Sequence, residues 1–236
     1  MQAHLTSVHD KAVEQVMPGL SGHTRSAFMR RALLGGTAFV AGGALLRPAT
    51  AGAVSDTFST DVEVLNYALT LEHLEYAFYR DGLARFDEED FTSAKFIRGF
   101  GGRIISRVYS NFELILAHEE THVDTLTSVI SSLGGTPVKE CNAYDFGYRN
   151  VDGFVAVAQL LENTGVSAYT GAAHELENDD LLTAAATIAT VEARHASYLN
   201  LLNGDSPFPN AFDVPKAPAA ILAAAGGFIK DCSNNA

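Results

Sequence analysis

Four long segments of the chain repeat apolar residues every three or four positions, which is the period of an α-helix with one buried face. They cover roughly residues 60–84, 103–133, 152–177 and 179–203. No stretch of comparable length alternates with the period of a β-strand. The pattern therefore predicts an all-α domain built from four long helices.

Residues with suitable chemistry mark the ends of these helices. Thr60 and Glu63 form an expected capping box at the start of the first helix. The two glycines at 134–135 end the second helix. Asp179 or Asp180 is expected to cap the fourth helix, because a short side chain that accepts hydrogen bonds satisfies the free N–H groups there.

The connections between the helices differ in length. Residues 85–102 link the first two helices, with a short helix expected at 92–100, and residues 134–151 form the link to the third. The third and fourth helices are joined tightly at 178–179. An antiparallel four-helix bundle with one long crossover, spanning residues 54–203, fits these lengths. In the tail, residues 204–236, a proline-rich stretch precedes a short helix expected to cover one end of the bundle.

The first 53 residues differ from the rest in charge. The whole chain has a net charge of −12, but residues 54–236 alone have a net charge of −15. Arg30 and Arg31 precede a weakly apolar run and the Ala-x-Ala sequence at 51–53, the parts of an export signal. This leader resembles a twin-arginine (Tat) signal. It predicts a protein exported to the periplasm or beyond the cell, with only transient membrane contact. The alternative is a buried N-terminal helix.

The charge and the cysteines of residues 54–236 bear on nucleic-acid binding, metal binding and disulfide formation. Residues 54–236 are acidic and carry no basic patch, so binding to nucleic acid is not expected. The two cysteines, Cys141 and Cys232, lack the spacing of a metal site. In an oxidising compartment they can form one disulfide that ties the tail to the crossover. The alternative is two unrelated thiols.

Each of the four predicted helices places a carboxylate on its apolar stripe. Two helices carry a single glutamate and two carry Glu-x-x-His, giving the set Glu72, Glu119, His122, Glu162, Glu192 and His195. Burying an unpaired carboxylate costs several kcal/mol, and the cost grows where like charges converge. Two divalent cations would neutralise the four carboxylates. Residues three apart on a helix point to the same side, so both Glu-x-x-His pairs can reach ions on the bundle axis.

A second regularity links the two helices that carry a single glutamate. Glu72 is followed by Tyr79, and Glu162 by Tyr169, with the same seven-residue offset. Two turns along a helix, each tyrosine is expected to lie on the face of its glutamate and to hydrogen-bond a metal ligand. The shared offset also indicates an internal duplication of a helix pair.

At these residues the chain resembles a known family. The segments LNYALTLEHLEYAFY, AHEETHVDTL, LLENTGVSAY and VEARHASYL are similar to ferritin-like domain proteins, in particular the exported, stress- and desiccation-related branch. The resemblance covers roughly residues 58–203. It implies a ferritin-like bundle in which the six residues named above are the metal ligands and catalytic centre of a di-iron or di-manganese site.

Several further polar residues have a less specific interpretation. His73, His118 and His174 are expected to be surface or packing residues. Glu75 is either an extra carboxylate of the site, a mobile ligand or proton acceptor, or a solvated neighbour, and the last is favoured. Gly165, three residues after Glu162, either accommodates packing or leaves a gap that admits a substrate to the metals.

Three functions are compatible with such a site. The first is redox chemistry in which two iron or manganese ions react with dioxygen or a peroxide, as a ferroxidase, peroxidase or catalase does, in defence against oxidants. The second is metal storage, which requires a large homo-oligomeric shell. The third is a non-catalytic protective role in which the metals stabilise the fold.

Overall fold

The computed structural model describes residues 57–235, which form an antiparallel four-helix bundle. The long helices are α1 (Asp61–Arg85), α4 (Val108–Ser132), α5 (Val151–Ala172) and α6 (Asp179–Leu202). Shorter helices are α2 (Glu88–Ser93) and α3 (Gly102–Ile105) before α4, and α7 (Pro218–Ala225) in the tail. A 3-10 turn, Ala173–Glu175, follows α5, and another, Ser233–Asn235, lies near the C-terminus. The all-α bundle predicted from the sequence is confirmed.

The crossover between α4 and α5 runs along the bundle and pairs with the tail. Its strand β1 (Ala143–Tyr144) pairs antiparallel with β2 (Ile229–Asp231). Beside this pair, Cys141 and Cys232 form a disulfide. The tail is therefore fixed to the crossover both by backbone hydrogen bonds and by a covalent bond.

We expect Cys232→Ser to destabilise the protein, because the disulfide closes a loop between residues 91 positions apart. Loss of a native disulfide typically lowers the free energy of unfolding by about 2–5 kcal/mol. Urea unfolding with and without reductant measures the change, and reduced wild-type protein should unfold at the midpoint of the variant. A midpoint equal to that of the oxidised wild type would contradict the prediction.

Several helix ends differ from those predicted. Asn178 caps α6, because its side chain accepts from the N–H groups of Asp180 and Leu181, so neither predicted aspartate is the cap. At α1, Thr60 caps as predicted, but the Glu63 side chain accepts from the N–H of Ser59 instead of Thr60.

The connecting helices also differ from the prediction. The helix expected at 92–100 lies at Glu88–Ser93, because Asp87 and Asp90 form a capping box there. Arg107 leaves helical backbone geometry and separates α3 from α4, where a single helix was predicted. Helix α7 contacts α1 and α5 and lies beside Leu74 and Leu161, near the middle of those helices, so the expectation that it covers one end was wrong. The reason is that the paired strands and the disulfide hold the tail beside the crossover.

Two apolar clusters fill the bundle around its polar middle. The larger one contains the rings of Phe78, Phe91, Phe112 and Phe154, which are completely buried. The other consists of aliphatic residues, among them Leu69 and Ile130, together with Tyr169. The predicted export signal, residues 1–53, lies outside the described residues. Within 57–235, no helix combines the length and the apolar character of a membrane span.

Candidate di-metal site

Six polar side chains meet at the middle of the bundle. Glu72 comes from α1, Glu119 and His122 from α4, Glu162 from α5, and Glu192 and His195 from α6. All four carboxylates are 0% exposed, and the two imidazoles are 8% and 5% exposed. The structure thus brings together every residue of the predicted ligand set, because each lies on the inward stripe of its helix.

The donor atoms form two overlapping groups. The first contains Glu72, Glu119, His122 and Glu192, and the second contains Glu119, Glu162, Glu192 and His195. Within each group one atom of every residue lies within 4.8 Å of the others. Glu119 and Glu192 belong to both groups, so the two Glu-x-x-His helices supply the carboxylates that two ions would share.

His122 makes the contacts of the first group. Its Nδ1 lies 3.1 Å from Glu72 Oε2, 3.3 Å from Glu119 Oε2 and 3.0 Å from Glu192 Oε1. One nitrogen therefore faces three carboxylates from three helices. A cation bound near that point would replace the proton that such contacts require.

His195 occupies the corresponding place in the second group. Its Nδ1 lies 3.1 Å from Glu119 Oε1 and 3.3 Å from Glu162 Oε2, but neither contact has the angles of a hydrogen bond. On the other side of the ring, Nε2 lies 2.9 Å from Nδ1 of His118, and the two rings stack. A hydrogen bond there fixes the ring so that Nδ1 faces the carboxylates.

The two tyrosines bind the glutamates in a crossed arrangement. Tyr79 on α1 donates to Glu162 Oε1 on α5 at 2.6 Å, and Tyr169 on α5 donates to Glu72 Oε1 on α1. Each tyrosine thus hydrogen-bonds a glutamate of the predicted ligand set, as expected, and the partner is the glutamate of the opposite helix. The crossed pair is consistent with a duplicated helix pair, since the same contact occurs in both halves.

We expect Tyr79→Phe to weaken the binding of one ion and to spare the other. The variant removes the donor to Glu162, which belongs to the second group alone. Loss of a partner that orients a ligand typically costs about 10–100-fold in metal affinity. Competition with a chelator measures both affinities. The control is Tyr76→Phe on the same helix, whose ring packs under Arg80. Equal losses at both ions, or none, would contradict the expectation.

Glu75 is buried next to the six polar side chains of the cluster. It is 3% exposed, so the favoured interpretation of a solvated neighbour was wrong. The reason is the facing helix: a Cβ atom on Gly165 would lie 3.0 Å from Glu75 Oε1. Gly165 therefore leaves room for this carboxylate beside the site.

Burial and the close approach of the side chains shift the pKa values of the cluster. Burial alone lowers the pKa of His122, but its close contacts with Glu119, Glu192 and Glu72 outweigh it and raise the pKa to about 12. Burial raises the pKa of Glu72 to about 8, despite the opposing hydrogen bond from His122. Burial and then the charge of Glu192 raise the pKa of Glu162 and of Glu75 well above their usual value. Without cations, the site therefore retains protons at neutral pH.

Many donor atoms of the cluster have no hydrogen-bond partner within residues 57–235. They are Oε1 of Glu119, Oε2 of Glu162, both carboxylate oxygens of Glu192 and Nδ1 of His195. Each buried, unsatisfied polar group costs about 1–3 kcal/mol. Carboxylate oxygens and imidazole nitrogens together suit divalent iron, manganese or zinc. The residues present therefore fit a pair of divalent cations.

Two polar residues near the site make contacts that the sequence did not specify. His118 is exposed and its ring stacks on that of His195, as expected of a surface or packing residue, but its hydrogen bond to that ring was not predicted. No spacing signal marks that contact, because it crosses from α4 to α6. For Glu75 a signal exists: Glu75 follows Glu72 by three residues and Gly165 follows Glu162 by three, so a duplicated helix pair would place Glu75 and Gly165 at matching positions.

The fold and the cluster define a four-helix-bundle protein with a buried group of carboxylates and histidines that could hold metal ions. Residues 60–205 match the ferritin-like domain family. This match extends over more than half of the chain, and the chain belongs to that family.

Individual proteins similar to this chain share 20–27% sequence identity with it. The chain is 27% identical over 175 residues to protein rds1 of Schizosaccharomyces pombe, covering 73% of this chain and 40% of that protein. It therefore spans about two-fifths of that relative's length. Among solved structures, a conserved hypothetical protein, rv2844, from Mycobacterium tuberculosis shares 20% identity with a TM-score of 0.46, over 64% of this chain and 94% of that one. A ferritin-like, diiron-carboxylate protein from Bacillus anthracis shares 20% identity with a TM-score of 0.43, over 60% and 94%.

Proposed function

We propose that this chain is an exported di-metal carboxylate protein that binds two iron or manganese ions and reacts with dioxygen or a peroxide. The observation that supports the proposal best is the pair of overlapping donor groups, with Glu119 and Glu192 common to both. Bound iron or manganese would supply redox chemistry and open coordination positions for an oxidant.

The protein's own residues would prepare the site for that chemistry. Glu72 and His122 would hold one ion and Glu162 and His195 the other. Burial raises the pKa of Tyr79 well above its usual value, and the charge of Glu162 adds to the effect, so the Tyr79 hydroxyl keeps its proton and remains a donor. The same causes act on Tyr169 beside Glu72. The two phenols thereby hold the outer oxygens of the single glutamates and orient the inner ones.

The surrounding side chains exclude bulk water from the cluster. The ring of Tyr79 is 0% exposed and packs against three completely buried rings, those of Phe78, Phe112 and Phe154. A dry surrounding strengthens the attraction between carboxylates and cations. It also limits unproductive reactions with solvent, which is useful for a site that handles oxidants.

A direct assay tests the redox proposal. Purified protein loaded with Fe(II) or Mn(II) should oxidise Fe(II) with dioxygen or decompose peroxide, and Glu119→Ala should lose this activity while Glu120→Ala keeps it. Glu120 is the matched control because it is exposed on the same helix. Protein that carries two ions and does neither reaction would contradict the proposal and favour a protective role. A large closed shell in solution, by light scattering, would instead favour storage.

The export part of the proposal has its own test. The Arg30-Arg31 leader and the Ala-x-Ala sequence at 51–53 support it, and so does the disulfide, since disulfides persist in oxidising compartments. Protein isolated from outside the cytoplasm of its host should begin at residue 54 by intact mass. Replacement of Arg30 and Arg31 by lysine should leave it in the cytoplasm, and export without either arginine would contradict a twin-arginine route.

A further inference from the structure

A small pocket lies between the bundle and the tail and ends at Glu75. Leu160 on α5 and Ala224 on α7, which are exposed, lie at its outer end. Glu75 and Gly165, which are buried, lie at its inner end. Its volume is about 40 Å³. The pocket therefore reaches a buried carboxylate beside the candidate di-metal site.

The inner end of the pocket also borders a carboxylate that two ions would share. A Cβ atom on Gly165 would lie 3.0 Å from Glu75 Oε1 and 3.7 Å from Glu192 Oε2. Both carboxylates thus approach the same part of the α5 backbone, which lines the pocket. Within residues 57–235, the Glu75 carboxylate makes no hydrogen bond. A buried polar group left in this state costs about 1–3 kcal/mol, which a small molecule with an O–H group would recover.

The size of the pocket separates small from bulky peroxides. A cavity needs roughly 10–15 Å³ to accept one water molecule, and benzene binds in an apolar cavity of about 150 Å³. At about 40 Å³, the pocket has room for hydrogen peroxide, whose O–H groups can bond the Glu75 carboxylate. The organic peroxide tert-butyl hydroperoxide has as many non-hydrogen atoms as benzene and does not fit.

The tail forms one wall of the pocket. The wall residues are Ala224, Ala225 and Phe228. The ring of Phe228 packs on Phe146 of the crossover, and its carbonyl accepts from the N–H of Asp145 at 2.8 Å. Strand β2 and then the disulfide follow Phe228 directly. The wall is therefore fixed to the crossover and cannot move away from the pocket without breaking these contacts.

We propose that the tail determines which peroxide reaches the di-metal site: hydrogen peroxide enters the pocket and binds Glu75, whereas bulky organic hydroperoxides are excluded. The choice of oxidant rests on the proposed function, because it names the substrate of that site. The size limit set by the tail needs no metal ion and is measured without one.

Chemical labelling of the metal-free protein tests the role of the tail. A water-soluble carbodiimide joins accessible carboxyl groups to glycinamide as amides, and peptide mass spectrometry locates them. Because the carbodiimide is larger than the pocket, it should leave Glu75 of the wild type unlabelled and label the exposed Glu120. Phe228→Ala, which keeps the disulfide, should raise the labelling rate of Glu75 by about tenfold, which corresponds to about 1.4 kcal/mol. Cys232→Ser should do the same by releasing β2.

The matched control is Phe212→Ala, because this ring lies in the tail and is exposed. It should leave Glu75 as unreactive as in the wild type. Labelling of Glu75 in the wild type at the rate of Glu120 would overturn the proposal. So would an unchanged rate in Phe228→Ala and Cys232→Ser.

Oxidation of bound Fe(II) without dioxygen tests the selection between peroxides. Each peroxide takes up two electrons from two Fe(II) ions and two protons, and yields water alone or water and tert-butanol. Relative to free Fe(II), the loaded wild type should react at least about tenfold faster with hydrogen peroxide than with tert-butyl hydroperoxide, and Phe228→Ala should reduce this preference. Equal relative rates in the wild type would overturn the proposal. Bound Fe(II) that reacts with neither peroxide would refute the proposed function, while the labelling still decides the role of the tail.

Discussion

Glu119→Ala is expected to remove most of the bound metal, because this carboxylate belongs to both donor groups. His195→Ala should remove less, since His195 belongs to one group only. Both losses should exceed the roughly 10–100-fold decrease in affinity that follows from substituting an outer partner of a ligand. Elemental analysis of the purified variants gives the number of ions per chain.

The control for these variants keeps helix α4 and changes an exposed carboxylate. Glu120→Ala alters the charge next to Glu119 without touching the cluster, because Glu120 points to solvent. It should retain the full metal content of the wild type. Equal metal content in Glu119→Ala and Glu120→Ala would refute the assignment of Glu119 as a shared ligand.

Removal of the metal ions should lower the melting temperature, and the loss should grow as the pH rises from about 5 to about 8. In the metal-free protein, burial lowers the pKa of His195, but close contacts with Glu119, Glu162 and Glu192 raise it to about 12, from a usual value of 6.5. A raised pKa contributes stability below pH 6.5, and that stability is lost as the pH rises towards 12. Glu72, with its pKa raised by burial to about 8, loses its contribution between pH 4.5 and pH 8.

The metal-loaded protein should follow the opposite trend. Metal ligands must be deprotonated, so affinity increases with pH. An ion present at about 100 times its dissociation constant adds about 2.7 kcal/mol, which is about 5–10 °C in melting temperature for a chain of this size. Burial raises the pKa of Glu192, but its histidine contacts lower it to about 2, which affects stability only below pH 4.5.

Differential scanning calorimetry of loaded and chelated protein at pH 5 and pH 8 measures both trends. Elemental analysis must first show that the chelated sample contains no metal. If metal-free and metal-loaded protein had the same melting temperature at pH 8, the buried carboxylates would not repel one another, and the prediction would be wrong. A difference in melting temperature between loaded and metal-free protein that decreases as the pH rises would contradict the direction of the pKa shifts.

The sequence predicted the elements whose pattern is repeated and regular. The apolar stripes identified the four long helices, and the polar residues within those stripes identified the cluster. Burial explains this success, because a carboxylate inside an apolar stripe has few alternatives to a common site. The disulfide was one of two open alternatives, and only the approach of the crossover to the tail decided it.

The contacts that depend on how helices approach one another could not be predicted. The crossed tyrosines, the sharing of Glu119 and Glu192, and the contact of His118 with His195 all join different helices. A periodic pattern defines the face of a helix but not the neighbour that it meets. The burial of Glu75 follows from Gly165 on the facing helix, which again required the packing.

The most direct test of two ions between four helices is a crystal structure of the metal-loaded protein with anomalous scattering data. The account predicts two anomalous peaks per chain, one contacted by Glu72 and His122 and the other by Glu162 and His195, with Glu119 and Glu192 at both. Anomalous peaks elsewhere in the bundle would contradict it. So would a structure in which these side chains bind no ion and point to solvent.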